Sequence, residues 1–211
     1  MFKKTAKFAE LLNHYAHMVE HGYERRVGSR VCATYSDQEA IKFRHELKPL
    51  FQQRNIRSVL DYGGGGGDWR EKEVPEGGTL AEFLSIEEYL VFEPSRAVDD
   101  RKKTEAIVCF DVMEHIYLGD VGFVLSDIFD LAERLVVVNV ATYAANALLP
   151  NGENAHITQR HSQWWRGVLE LISAAHPKVE VVLYASESYG KATRIGPWRF
   201  ADLNAAKGYK R

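Results

Sequence analysis

Five short apolar runs constrain this chain more than any other feature. They are "RSVLDY", "YLVFEP" (Tyr89 to Pro94), "EAIVCFD" (Glu105 to Asp111), "RLVVVNV" (Arg134 to Val140) and "KVEVVLY" (Lys178 to Tyr184). Most are continuously apolar rather than alternating. Such runs suit parallel strands covered on both faces. Helical patterns separate them. "DVGFVLSDIFDLAER" (Asp120 to Arg134) reads as one helix, and "SQWWRGVLELISAAH" as another with Ser162 as its N-cap. Upstream, Phe8, Leu11, Leu12, Tyr15, Met18 and Val19 recur at helical spacing, and Gly22 is a stop signal. A second helix is expected from about Asp37 to Gln53, bent or interrupted at Pro49. Strand, helix, strand, helix is the order of a doubly wound α/β sheet, here with an N-terminal helical cap.

A length of 211 residues fits one domain. Residues 1–56 read as a cap or lid, 57–200 as the core, and 201–211 as a tail free to fray. The formal net charge of −2 gives no global basic field, so neither nucleic acid nor an anionic membrane is expected as a partner. The first 57 residues lean basic, with eleven Lys/Arg against six Asp/Glu, which reads as a solvated helical face. Two cysteines make no disulfide framework, and Cys109 sits in an apolar run as a core thiol. No apolar stretch approaches the ~18 residues that span a bilayer. The N-terminus lacks the apolar core of a signal peptide, so a reduced, cytoplasmic setting is expected.

"SVLDYGGGGGDW" (Ser58 to Trp69) then needs an explanation, because glycine loses more chain entropy on folding than any other residue. A linker would not follow a buried strand and precede more sheet. A dinucleotide fingerprint needs Gly-x-Gly-x-x-Gly, and its last position falls on Asp68, Trp69 or Arg70 in the three registers available. A P-loop needs Gly-Lys-Ser/Thr, but Asp68 follows Gly67. The run stands at the carboxyl end of the first strand, where open parallel sheets bind ligands.

The spacing Asp61, Gly63, Gly65, Gly67 is similar to the Asp-x-Gly-x-Gly-x-Gly motif I of class I S-adenosylmethionine (SAM)-dependent methyltransferases. "VFEP", with Glu93 and Pro94 at the end of the next strand, "FDVMEHI" (Phe110 to Ile116) and "VVVNVA" resemble further elements of that family. Together they span roughly Ser58 to Ala141. The resemblance implies a Rossmann-like, mostly parallel seven-stranded sheet with helices on both faces. It implies a cofactor site made by Asp61, Gly63, Gly64, Gly65, Gly67, Glu93, Pro94, Asp111 and Val112, with Cys109 to Val112 lying along the ligand. In it, Glu93 accepts from the ribose hydroxyls and Asp61 orients the ammonium end. SAM carries a sulfonium and an ammonium, so carboxylates suit it better than a basic phosphate cradle. Glu93 lies 26 residues after Gly67, longer than the family norm, and Pro75, Gly77 and Gly78 break the intervening helix. Thr79 and Glu82 form a capping-box pair for a shorter one. Trp69 is expected to supply part of the missing pocket roof.

The expected activity is transfer of the SAM methyl to a small-molecule or sugar-like acceptor, at oxygen, leaving S-adenosylhomocysteine. A hydroxyl acceptor needs a general base, and His115 and His156 are the candidates. Asp111, Glu114 and His115 share i, i+3, i+4 spacing, and with His156 they form a candidate oxygen/nitrogen set for a divalent ion. That pattern is similar to the metal element of ubiquinone-biosynthesis O-methyltransferases and small-RNA 2′-O-methyltransferases. Relatives with "DVLEH" and no metal keep the other reading open, and no metal is assigned. Of Trp164 and Trp165, one is expected to pack and the other to line the acceptor pocket. His14, Tyr15 and Tyr23 are lid residues within reach of an acceptor. Two other functions compete: a non-catalytic SAM-binding protein of this fold, and an NAD(P)-dependent oxidoreductase, which the glycine spacing disfavours.

Overall fold

The structure, a computed structural model, describes residues 3–32 and 38–205. Seven strands form one sheet: β1 (Ser58–Tyr62), β2 (Glu88–Glu93), β3 (Val98–Asp99), β4 (Thr104–Phe110), β5 (Ala132–Ala141), β6 (Glu180–Ser188) and β7 (Lys191–Arg199). Their spatial order is β3-β2-β1-β4-β5-β6-β7. The inner pairings are parallel, and the two edge strands β3 and β7 run antiparallel to their neighbours. All five apolar runs are therefore strands of a mostly parallel sheet. The chain leaves β1 toward β2 on one side and later returns to β4 on the other. The carboxyl ends of β1 and β4 thus flank a topological switch point.

Successive strand residues face opposite sides, and both sides are core. Leu60, Ile107, Cys109, Val136 and Val138 meet Leu11 and Met18 of α1 (Ala6–His21), Leu125 and Ile128 of α5 (Leu118–Leu131), and Trp165 and Leu169 of α6 (Ser162–Ser173). Val59, Ala106, Val108 and Val137 meet Leu47 and Phe51 of α3 (Arg44–Arg54) and Leu80 and Leu84 of α4 (Leu80–Leu84). Helices on both faces explain why the strands are apolar throughout. No helix among the described residues is long and apolar enough to cross a membrane.

Several boundaries differ from expectation. The second helix is two, α2 (Gln38–Lys42) and α3, and Asp37 lies outside the described residues. The break falls at Phe43, not at Pro49, which sits inside α3. Leu47, Leu50 and Phe51 are buried on both sides of Pro49, and that packing holds the helix across it. α5 ends at Leu131 because Ala132 already pairs with Thr104 in the sheet. The N-cap of α6 is His161, whose ring nitrogen accepts from Gln163 N–H, while Ser162 is the first helical residue. Residues 201–205 of the expected tail belong to α7 (Phe200–Ala205), and 206–211 lie outside the described residues. Gly22 does end α1, at φ 77° with its N–H on the Met18 carbonyl. The Thr79–Glu82 capping box starts α4 as expected.

Candidate functional site

A pocket opens at the carboxyl ends of β1, β2 and β4, roofed by α1. Its floor is the glycine turn. Gly63 has φ 85° and its N–H donates to the Phe92 carbonyl at 2.7 Å, tying the turn to β2. A Cβ at Gly63 would stand 2.4 Å from Val112 Cγ2. Gly65 has φ 61°, and its N–H donates to Glu93 Oε2 at 3.0 Å. Glu93 Oε1 accepts from Ser95 N and Oγ. That one carboxylate therefore joins the glycine turn to the short 3₁₀ turn Pro94–Arg96. Asp61 is buried, and Tyr89 Oη donates to its Oδ2 at 3.0 Å.

Of the residues expected to hold a cofactor, Asp61, Gly63, Gly64, Gly65, Glu93, Pro94, Asp111 and Val112 line this one pocket. Gly67 and Trp69 do not. Gly67 closes the turn, its N–H donating to the Gly64 carbonyl. Trp69 is fully buried, stacked on Tyr89 with centroids 5.0 Å apart, so it packs under the site and roofs nothing. The roof is α1, through Phe8, Leu11, Leu12, Tyr15 and Val19. Two hydrogen bonds at 2.7 Å, from Thr5 N and Oγ1 to the Asp120 carboxylate, fasten the start of that helix. Cys109 belongs to the core, so the lining begins at Phe110. Neither Trp164 nor Trp165 lines the pocket: Trp165 is buried, and Trp164 packs against it edge to face with centroids 4.8 Å apart. Of the three residues expected in a lid, Tyr15 lines the pocket; His14 and Tyr23 do not.

"FDVMEHI" shapes the far wall. Asp111 takes a left-handed φ of 56°, which aspartate tolerates better than most residues. Its N–H donates to the Asn139 carbonyl, two residues before the end of β5. Met113–His115 then form one 3₁₀ turn. His115 Nδ1 lies 2.5 Å from Tyr15 Oη, and its ring meets that of His156 edge to face at 4.7 Å. The buried His156 ring presents Nδ1 to the Tyr143 carbonyl at 2.5 Å, so Nδ1 is the donor and Nε2 is left facing Asp111 Oδ1 at 4.0 Å. The two histidines come together, but only His115 lines the pocket; His156 is buried behind it.

Glu114 does not join them. It is completely buried, its Oε1 accepts from the Ala141 N–H, and burial with the adjacent Asp111 charge pushes its pKa well above the carboxylate range. Asp111, His115 and His156 do each present one ligand atom, all within 4.8 Å of one another. That span would have to tighten for metal–nitrogen bonds of about 2.1 Å. One carboxylate and two imidazoles suit a transition ion such as zinc or manganese better than an all-oxygen magnesium site.

Burial pushes the His115 pKa down to about 4, with the Asp111 charge opposing and His156 adding to the effect. The unfolded chain therefore takes up this proton first as pH falls. Stability from His115 is full above its ordinary value of 6.5 and is lost as pH drops toward 4. Glu114 works with the opposite sign, since its displaced pKa makes the unfolded chain release a proton first as pH rises. Urea unfolding between pH 4 and 6.5 should accordingly rise in stability with pH less steeply in His115→Gln than in wild type. An identical slope in the two proteins would refute this assignment.

Comparison of the chain with protein-family models, with curated proteins and with solved structures finds no match, so the reading of this site rests on its own residues and geometry.

Proposed function

We propose that this chain is a SAM-dependent methyltransferase acting on a hydroxyl of a small-molecule acceptor. One observation carries the reading. The glycine turn after β1 and the acid ending β2 are hydrogen-bonded to each other on one pocket, opposite Asp111 and Val112. The lining suits a cationic nucleoside: backbone without Cβ at Gly63 and Gly65, carboxylates at Asp61, Glu93 and Asp111, and apolar walls at Leu11, Phe92 and Phe110. Glu93 retains lone pairs for ribose hydroxyls beside its bonds to Gly65 and Ser95.

SAM, when bound, supplies a methyl already activated on a sulfonium, so the protein's task is mainly positioning. Gly63 and Gly65 let the backbone approach it. The α1 roof excludes water. His156, its Nδ1–H held by the Tyr143 carbonyl, offers Nε2 as the atom that takes the proton from an acceptor hydroxyl. Asp111 faces that nitrogen and favours the imidazolium that results. A second reading has support in the same cluster: Asp111, His115 and His156 holding a divalent cation that polarises the hydroxyl.

Thermal unfolding with SAM, S-adenosylhomocysteine and NAD(P) tests the proposal. A ligand at a hundred times its Kd adds about 2.7 kcal/mol to the stability of the state that binds it. The first two ligands are expected to raise the midpoint. Stabilisation by NAD(P) alone would replace the methyltransferase with an oxidoreductase.

A further inference from the structure

Arg96 is the one Lys or Arg side chain lining the pocket among the described residues. It ends the 3₁₀ turn that begins beside Glu93. Its Nε and one terminal nitrogen, Nη2, are buried and hydrogen-bond to nothing among the described residues. Buried donors in folded proteins are almost always satisfied, and a guanidinium stays charged at any pH the fold survives. Two unsatisfied donors on one cation that lines a ligand pocket therefore call for an acceptor that arrives with the ligand, met as the side chain turns from its buried position.

The pocket's own carboxylates do not answer the demand. Glu93, three residues away, turns its oxygens to Gly65 and Ser95, and neither is hydrogen-bonded to Arg96 Nε or Nη2. Asp61 is held by Tyr89, Glu39 is paired with Lys42 at 3.1 Å, and Asp111 faces His156. The geometry of the missing partner follows from the two atoms. Nε–H and Nη2–H project in parallel from one edge of the guanidinium, a fork that matches two oxygens of a carboxylate or phosphate. An adenine edge is a poor match, because its ring nitrogens at N1 and N7 stand next to the N6 amino donor.

We infer that Arg96 is an oxyanion anchor, binding a carboxylate or phosphate of a ligand in this pocket by a two-pronged hydrogen bond. Two sources offer that chemistry under the proposed function: an acidic group on the methyl acceptor, or the carboxylate of the SAM amino-acid end. The inference rests on the methyltransferase reading only for this choice of sources. The unsatisfied fork itself is independent of it. Arg96 here sets ligand specificity and takes no part in bond making.

Calorimetric titration of wild type, Arg96→Gln and Arg96→Lys separates the outcomes, with thermal unfolding to check that each variant folds. The probes are S-adenosylhomocysteine, 5′-methylthioadenosine (a closely related thioether nucleoside without the carboxylate), benzoate and inorganic phosphate. Arg96→Gln is expected to weaken at least one carboxylate or phosphate probe by roughly thirtyfold while methylthioadenosine changes by less than about twofold, and Arg96→Lys to recover part of the loss. A loss confined to S-adenosylhomocysteine identifies the cofactor carboxylate as the oxyanion. A loss confined to benzoate or phosphate identifies the acceptor. Failure of wild type to bind either nucleoside would sink the methyltransferase reading, and the benzoate and phosphate arms would still judge Arg96. Equal affinities of wild type and Arg96→Gln for every probe would overturn the inference. So would an equal loss for both nucleosides, or no binding of any anionic probe to wild type.

Discussion

Gly63→Ala should weaken S-adenosylhomocysteine binding by at least about tenfold and cost about 1–3 kcal/mol of stability. Two separate effects combine there. The backbone sits at φ 85°, where an L side chain is strained. The new methyl would also stand 2.4 Å from Val112 Cγ2 and 3.3 Å from Cγ1, so Val112 must move. Val112 lines the pocket, which turns a local clash into lost ligand space. Gly28 provides the control, since it has φ 75° and a Cβ added there would meet nothing within 4 Å. Gly28→Ala therefore isolates the backbone cost, and the excess in Gly63→Ala is the steric part. Equal stability losses in the two variants, with unaltered binding by Gly63→Ala, would show that this turn does not meet the ligand.

The same turn marks how far the sequence can be read. The strand, its acid and the positions Gly63 and Gly65 are legible because spacing after a buried strand is a backbone property. Gly64 is not explained by that spacing. Its reason is tertiary: a Cβ there would come 3.0 Å from Asp61 Oδ2 and 3.2 Å from Val91 Cγ1. Trp69 eludes a sequence reading for a related reason, since an aromatic residue after a binding loop looks the same whether it faces ligand or core. Here Tyr89 stacks against it and decides for the core. The edge strand β7 is weakly marked, because it is largely exposed and carries Pro197. Arg96 and the Tyr143 carbonyl leave no signal in the sequence. The first matters because of partners it lacks. The second acts through a backbone atom, which any residue would supply.

His156→Ala should lower methyl transfer by about 10²–10⁴-fold, the range for losing a positioned general base, with little change in S-adenosylhomocysteine affinity. The ring is buried, locked by the Tyr143 carbonyl and packed against His115, so Nε2 has one direction to point. That direction is toward Asp111. Asp111→Asn should also lower turnover, because the amide keeps the shape and removes the charge that supports the imidazolium. Methyl-labelled SAM and an acceptor found by screening give the rate. Titration of the SAM-bound protein with zinc or manganese chloride then assigns the role. Heat seen in wild type and absent in His156→Ala makes His156 a ligand, with Nδ1–H held by a carbonyl in the manner of metal-bound imidazoles. No heat above buffer leaves His156 as the base and removes the cation. Unchanged turnover in both variants would mean that the cluster does no chemistry: methyl transfer would then rest on positioning alone, and the histidines would serve only to join α1, the Met113–His115 turn and the segment after β5.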